Sequence, residues 1–229
     1  MAVKMGMMKN DMAGAAVVLA TMQVVAKLGL PLRLVGILPC TENLPSGKAL
    51  KPGDVVTTLS GQTIEVISTD AEGRLILADG LTYALRFKPD AIVDVATLTG
   101  ACVVALGDRV TGMMGNNARL KARIKKSAEL TGERVWELPL WEEYQEHIKS
   151  DTADMKNAGG RAGGAITAAT LLSRFVQKTP WVHLDIAGPV WTEKALSYIP
   201  KGATGIGVRL LVQFLSDWAG EDSSTIASP

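Results

Sequence analysis

A chain of 229 residues, 47% hydrophobic and 21% charged, is long enough for one sizeable domain or two small ones and lies far from the composition at which chains stay disordered. Lys and Arg number 24 against 23 Asp and Glu, so a formal charge of +1 supplies no bulk attraction to nucleic acid or to an acidic membrane surface. Cys40 and Cys102 are the only cysteines and form no CxxC pair, which argues against a disulfide framework or thiolate zinc site and for a reducing, cytoplasmic setting.

At the N-terminus, Lys4 and Lys9 precede the apolar run 13–26 and invite a secretory reading. Asp11, Thr21 and Gln23 oppose it, and no small-residue cleavage site follows. No stretch reaches the roughly 18 unbroken apolar residues of a membrane span, so a soluble chain without a membrane partner is expected. Residues 12–28 carry Val17, Val18, Leu19, Met22, Val25 and Leu28 among alanines, the spacing of a mostly buried helix stopped by Gly29 and Pro31. Residues 32–38 read as a short buried strand, 41–53 as a surface loop, and 55–59 with 63–67 as a hairpin turned at Ser60, Gly61 and Gln62. Leu77, Leu81, Ala84 and Leu85 then recur at helix spacing until Pro89.

Residues 91–96 form another apolar strand, 118–130 a charged helix whose Lys121, Arg123, Lys125 and Lys126 make a solvated face, 165–176 a helix, 181–186 a strand and 205–218 a closing helix. Alternating helices and apolar strands predict an α/β fold, a mixed and largely parallel sheet sandwiched between helices. From Ala219 the chain reads as a loose tail.

Ser68-Thr69-Asp70-Ala71-Glu72-Gly73-Arg74 lies where a strand gives way to a helix. In extended backbone, Asp70, Glu72 and Arg74 would line one face, and carboxylates held that close call for a cation between them. The plainer alternative makes Asp70 and Glu72 first-turn acids of the next helix, neutralised by Arg74 as an exposed ion pair. Gly159, Gly160, Gly163 and Gly164 before a helix suggest an anion cradle but lack the GK[ST] of a P-loop. His147 and His183 read as a surface and a core histidine, and Cys102 as a small buried hydrophobe.

The run STDAEGRL resembles NTDAEGRL, the signature of the leucyl (cytosol) aminopeptidase family of dimetal exopeptidases. Three further segments agree in order: MKNDMAGAA (8–16), ATLTGA (96–101) and DMKNAGGRAGGAITAA (154–169). The resemblance runs to Trp218, making 1–218 a catalytic domain and 219–229 a flexible tail. It implies Asp11 and Asp70 as metal ligands, Glu72 as a carboxylate bridging two metals, and Arg74 as the catalytic arginine that holds a bicarbonate base. Met8, Thr97, Leu98 and Gly100 fall at substrate-binding positions. Two divalent ions, Mn²⁺ or Zn²⁺, peptide substrates with a free N-terminus and a hexamer are likewise implied, with the Gly-rich run as a loop bordering the site.

Ser68 stands where the family has asparagine. The family's metal-binding lysine, a further aspartate and a catalytic lysine come from a segment upstream of the MKNDM run, so the domain reads as N-terminally incomplete, with its first strands missing and its activity in isolation doubtful; Lys4 is the only nearby stand-in. The competing readings are a catalytically silent scaffold that retains the fold and a nucleotide binder using the Gly-rich loop.

Overall fold

The computed structural model describes residues 5–220. After a 3₁₀ turn at Met5–Asn10, the chain enters helix α1 (Ala13–Leu28), which buries Gly14, Val17, Thr21 and Val25 along one stripe. Gly29 ends it at φ 62°, with its N–H on the Ala26 carbonyl and that of Leu30 on Val25, a Schellman closure. Met5–Leu28 is long and apolar enough to cross a bilayer by length and composition, yet the α1 stripe packs on the sheet and on the last helix.

Residues 32–38 correct the sequence expectation of a short buried strand. They belong to no strand, half their side chains are exposed, and among the described residues 33–40 make no backbone hydrogen bond. Apolar content alone does not make a strand; a partner edge does.

Strands β1 (Val55–Thr57) and β2 (Thr63–Glu65) form the expected hairpin. Helix α2 (Glu72–Ala84) follows a 3₁₀ turn at Thr69–Ala71, and β3 (Ile92–Ala96) follows α2. Next come α3 (Gly100–Leu106), β4 (Thr111–Gly115), α4 (Ala118–Thr131) and β5 (Val135–Glu137). Asn117 caps α4 through the Leu120 N–H and Gly132 closes it in the left-handed region. After a 3₁₀ segment at Glu142–Ile148 lie β6 (Met155–Lys156), α5 (Gly164–Ser173), β7 (Trp181–Asp185), β8 (Trp191–Thr192), β9 (Gly202–Ala203) and α6 (Val208–Gly220). Helix α6 includes Ala219 and Gly220, which the sequence reading placed in a tail; 221–229 lie outside the described residues, as does Lys4.

The central sheet runs β3-β7-β4-β5. It is mixed: β3 is parallel to β7 and β4 to β5, while β4 and β7 are antiparallel. Alternate residues feed two cores. Met114, Ile92 and Trp181 join Ala169, Leu172 and Phe175 beneath α2 and α5, whereas Met113, Val95, Val182 and Leu184 join Val17, Ile124 and Phe214 beneath α1, α4 and α6. The result is a three-layer α/β/α sandwich, as expected. Two close approaches set its spacing. Any Cβ on Gly14 would lie 2.1 Å from the Val95 carbonyl oxygen, and one on Gly115 would lie 2.5 Å from that of Trp181.

The basic run on α4 is more engaged than a solvated face. Lys121 and Lys125 both clamp Glu137 on β5, and the Arg123 guanidinium stacks 4.4 Å above the Trp218 ring of α6. Glu133, 3% exposed, accepts the Gly207 and Leu210 N–H groups at the start of α6 and pairs with Arg209 at 3.1 Å. Burial nevertheless raises its carboxyl above the usual range.

Candidate active site

Asn157 folds the informative turn. Its side chain is fully buried; Oδ1 accepts the Ile67 and Ser68 N–H groups at 2.8 and 3.2 Å, and Nδ2 donates to the Ser68 and Ala71 carbonyls at 2.7 and 3.3 Å. Satisfying those four groups bends the backbone out of the extended form, so Thr69–Ala71 is 3₁₀ and α2 starts at Glu72. The alternation expected of Asp70, Glu72 and Arg74 therefore does not occur. Ser68 contributes only its backbone to this staple, which is why serine suffices there.

Glu72 is drawn inward at the foot of α2, with Oε2 buried and unpartnered among the described residues. Burial raises its carboxyl above the ordinary range, its own backbone N–H opposes, and the charges of Asp11 and Asp70 add to the rise. Asp11 is itself held by the Thr97 hydroxyl at 2.7 Å. Thus the turn before α1, the 3₁₀ turn before α2 and the first residue of α2 set Asp11, Asp70 and Glu72 along one cavity, with Thr97 from the end of β3 beside Asp11.

Arg74 takes neither role that the sequence offered on spacing. It is 9% exposed, its Nη1 donates to the Asn157 carbonyl at 2.6 Å, and no ion pair joins it to Asp70 or Glu72. The exposed-ion-pair alternative is thereby corrected. Its Nε is buried without a partner among the described residues, and burial lowers its proton affinity while the Asp185 charge opposes.

A cavity of about 850 Å³ is lined by Asp11, Asp70 and Glu72 together with Met8, Thr97, Leu98 and Gly100, so every anticipated site residue except Arg74 faces one space. Met8 is half exposed at its rim. The Leu98 N–H is taken by Asp185 Oδ1 at 3.2 Å, so it is not free to donate to a ligand.

Sequence reasoning missed two residues that organise this region. Besides Asn157, Asp185 is fully buried at the end of β7, where it accepts from the Leu98, Thr99 and Ala187 N–H groups and from the Thr99 hydroxyl. A lone acid in the apolar run WVHLDIA was the available signal. Behind it, His183 binds Asp94 at 2.6 Å through Nδ1, and Trp181 Nε1 donates to the same carboxylate. Burial disfavours the imidazolium, but Asp94 overrides it and holds the His183 pKa above the ordinary value. His147 is on the surface and Cys102 in the core, as read from sequence.

For a divalent cation the donor chemistry fits: oxygen ligands, mutual repulsion and an unpaired buried Glu72 oxygen. The geometry alone is not a closed site, since among the described residues no three His, Cys, Asp or Glu side chains converge at metal-ligand range.

The profile of the cytosol aminopeptidase family, catalytic domain, matches residues 1–212. The "Probable cytosol aminopeptidase" of Geobacter sulfurreducens is 61% identical over 208 residues, and that of Chlorobium limicola 55% identical over 217. These matches cover 91% and 94% of this chain but 42% and 43% of those proteins, so the chain spans about two-fifths of their length. Among solved structures, the bottromycin maturation enzyme BotP superposes with a TM-score of 0.90 at 43% identity, covering 92% of this chain and 47% of that one. That enzyme is also known in complex with Mn. A mutant of tomato leucine aminopeptidase gives 0.83 at 43% identity, covering 93% and 42%. With four sequence motifs, the mixed α/β/α architecture and these matches in agreement, the chain belongs to the cytosol aminopeptidase family.

Proposed function

We propose that this chain is the metal-binding part of an aminopeptidase that releases N-terminal residues such as leucine from peptides. The observation that carries the reading is that Asp11, Asp70 and Glu72 line one cavity together with the Thr97–Leu98 turn, whose Thr97 hydroxyl holds Asp11. In this reading Glu72, Asp11 and Asp70 would hold two ions, with Glu72 the carboxylate shared between them. The Mn complex of BotP supports a divalent metal, and the oxygen donors suit Mn²⁺ or Zn²⁺. When bound, such ions supply charge stabilisation for a scissile carbonyl and an acidified water.

The protein's own groups do the rest. Thr97 fixes the Asp11 carboxylate in orientation. Asp185 pins the Leu98 turn so that its carbonyl faces an incoming peptide, and Met8 and Gly100 border the pocket for its first side chain. Arg74, whose Nε is unpaired among the described residues, would hold a bicarbonate, which would supply a general base there. Three carboxylates are too few for two ions, so further ligands must join them for turnover; the chain alone is expected to hydrolyse leucyl amides negligibly. A hexameric, cytoplasmic enzyme is part of the same proposal.

The test is a chimera in which this chain replaces the matched 208 residues of the Geobacter sulfurreducens relative. Leucyl-amide hydrolysis that requires Mn²⁺ and falls at least a hundredfold in Glu72→Ala supports the reading. A chimera that folds, binds Mn²⁺ and shows no hydrolysis favours the silent scaffold.

A further inference from the structure

One row on the α2 and α5 face of the central sheet is charged rather than apolar. Along β7, Trp181, His183 and Asp185 point to that face, and all three are fully buried. Asp94 stands opposite His183 on β3, and Arg74 reaches the row from α2. Strand β4 places Met114 opposite His183 and Gly112 opposite Asp185, and α5 carries no ionisable side chain over Gly164–Ser173. Cys102 of α3 lies with Sγ 3.8 Å from the Asp185 carbonyl and stays a thiol, since burial pushes it up to about 12.

The hydrogen bonds show which of these groups are charged. Asp185 Oδ1 accepts the Leu98, Thr99 and Ala187 N–H groups. The Thr99 hydroxyl, which accepts the Cys102 N–H, donates to Asp185 Oδ2 at 2.7 Å. Four donors aimed at one carboxyl favour its ionised form. Asp94 accepts from Trp181 Nε1, a group that can only donate, and meets His183 Nδ1 at 2.6 Å. Two buried carboxylates call for two cations. Arg74 is one, because a guanidinium keeps its proton. Among the described residues that face the row, His183 is left to supply the other. Asp94 accordingly overrides burial and raises the His183 pKa. Burial pulls the Asp185 carboxyl above its ordinary value, and the His183 charge is the largest influence against that rise.

We propose that Asp94 and His183 are a positioning pair: they keep a cation about 7 Å along the strand from Asp185, so that Asp185 remains a carboxylate and holds the 97–99 turn against the cavity. Thr97 of that turn orients Asp11, and Thr97, Leu98 and Gly100 line the cavity beside it. A protonated Asp185 has one acceptor fewer for the turn, which then shifts. His183 thus acts on the site through Asp185 without touching a metal ligand or the substrate. Its hold on the turn stands by itself, while its effect on turnover rests on the aminopeptidase reading.

The hold on the turn is measured in the 229-residue chain without metal or substrate. His147 and His183 are its only histidines, so the ¹⁵N signals of two imidazoles are followed, with the exposed His147 as the control. At pH 7, His183 should carry protons on both ring nitrogens. His183→Asn keeps an N–H toward Asp94 but has no charge. It should raise the pH at which the Leu98, Thr99 and Ala187 amides titrate by at least about one unit, a tenfold change in proton affinity. Should His183→Asn lose the circular dichroism of the parent, Asp94→Asn takes its place: it removes the counter-charge, so His183 gives up a proton and the same amides move the same way. In the chimera with the Geobacter sulfurreducens relative, His183→Asn should keep the parent's Mn²⁺ stoichiometry and lower kcat about ten- to a hundredfold at neutral pH. That deficit should shrink as pH rises and Asp185 ionises without help. An inactive parent chimera would sink the aminopeptidase reading alone, because the imidazole and amide titrations need no turnover. The proposal is overturned if His183 holds a single ring proton at pH 7, if the three amides titrate at the same pH in parent and variant, or if the kcat deficit is the same at every pH.

Discussion

Replacing Asn157 by alanine isolates the device that shapes the carboxylate turn. The substitution removes four side-chain hydrogen bonds and leaves the Ile67 and Ser68 N–H groups and the Ser68 and Ala71 carbonyls without their partner. Asn157 is fully buried, so water does not replace it without rearrangement. At about 1–3 kcal/mol for each group left unsatisfied, with relaxation of the two weaker bonds, a total loss of about 3–5 kcal/mol is expected. For a chain of this size that lowers the melting temperature by roughly 6–20 °C. Asn157→Asp keeps the acceptor for two N–H groups but turns a second oxygen toward two carbonyls, so it should fall between alanine and the parent when protonated and lose ground as pH rises. Thermal and urea unfolding of the three proteins at pH 5 and 8 measure this. A loss below 1 kcal/mol in Asn157→Ala, with Thr69–Ala71 unchanged, would refute the claim that this side chain holds the turn.

Gly14→Ala should destabilise the chain even though alanine favours an exposed helix by about 1 kcal/mol, because its Cβ meets the Val95 carbonyl at 2.1 Å; chemical denaturation against the parent gives the sign. Glu133 has a folded-state pKa raised by burial, so its contribution to stability is fully present below the unfolded value and is lost as pH rises through the folded one. Glu133→Gln, which keeps an acceptor for the Gly207 and Leu210 N–H groups, should therefore gain on the parent as pH rises above the ordinary glutamate value, and a gap that is constant or widens against the variant would contradict this. Burial, with the Asp185 charge adding to it, pushes the Cys102 thiol up to about 12, so iodoacetamide at pH 8 should label the exposed Cys40 and spare Cys102 in native protein, as peptide mass mapping would show.

Elements whose determinants are local were legible in the sequence. Gly29 and Pro31 stop α1, Asn117 starts α4, and the Ser60-Gly61-Gln62 turn sets the hairpin, each within a few residues of the feature it controls. Strand β4 was missed because TGMMG, with two glycines, has no strand signature; the Cys102 side chain on α3 and the Trp181 carbonyl on β7 leave no room for a Cβ there. Residues 32–38 were misassigned for the converse reason, since a strand-like composition lacks a neighbour to pair with. At the site, the three carboxylates and the Thr97–Leu98 turn were found through motif resemblance. Extended spacing misled for Arg74, because the bend that buries it is imposed by Asn157, some 90 residues later in the chain. Asp185 and the Asp94–His183–Trp181 group act through buried contacts that no local pattern reveals.

The claim on which the functional account rests is that Glu72 stands between two cation positions, each with its own terminal carboxylate. Mn²⁺ stoichiometry in the folded chimera that joins this chain to the remainder of the Geobacter sulfurreducens relative, measured by equilibrium dialysis in the Asp11→Ala and Glu72→Ala variants, tests it directly. The account predicts two ions per chain in the parent, about one in Asp11→Ala and none held tightly in Glu72→Ala. Equal stoichiometry in the two variants, or two ions retained without Glu72, would contradict it.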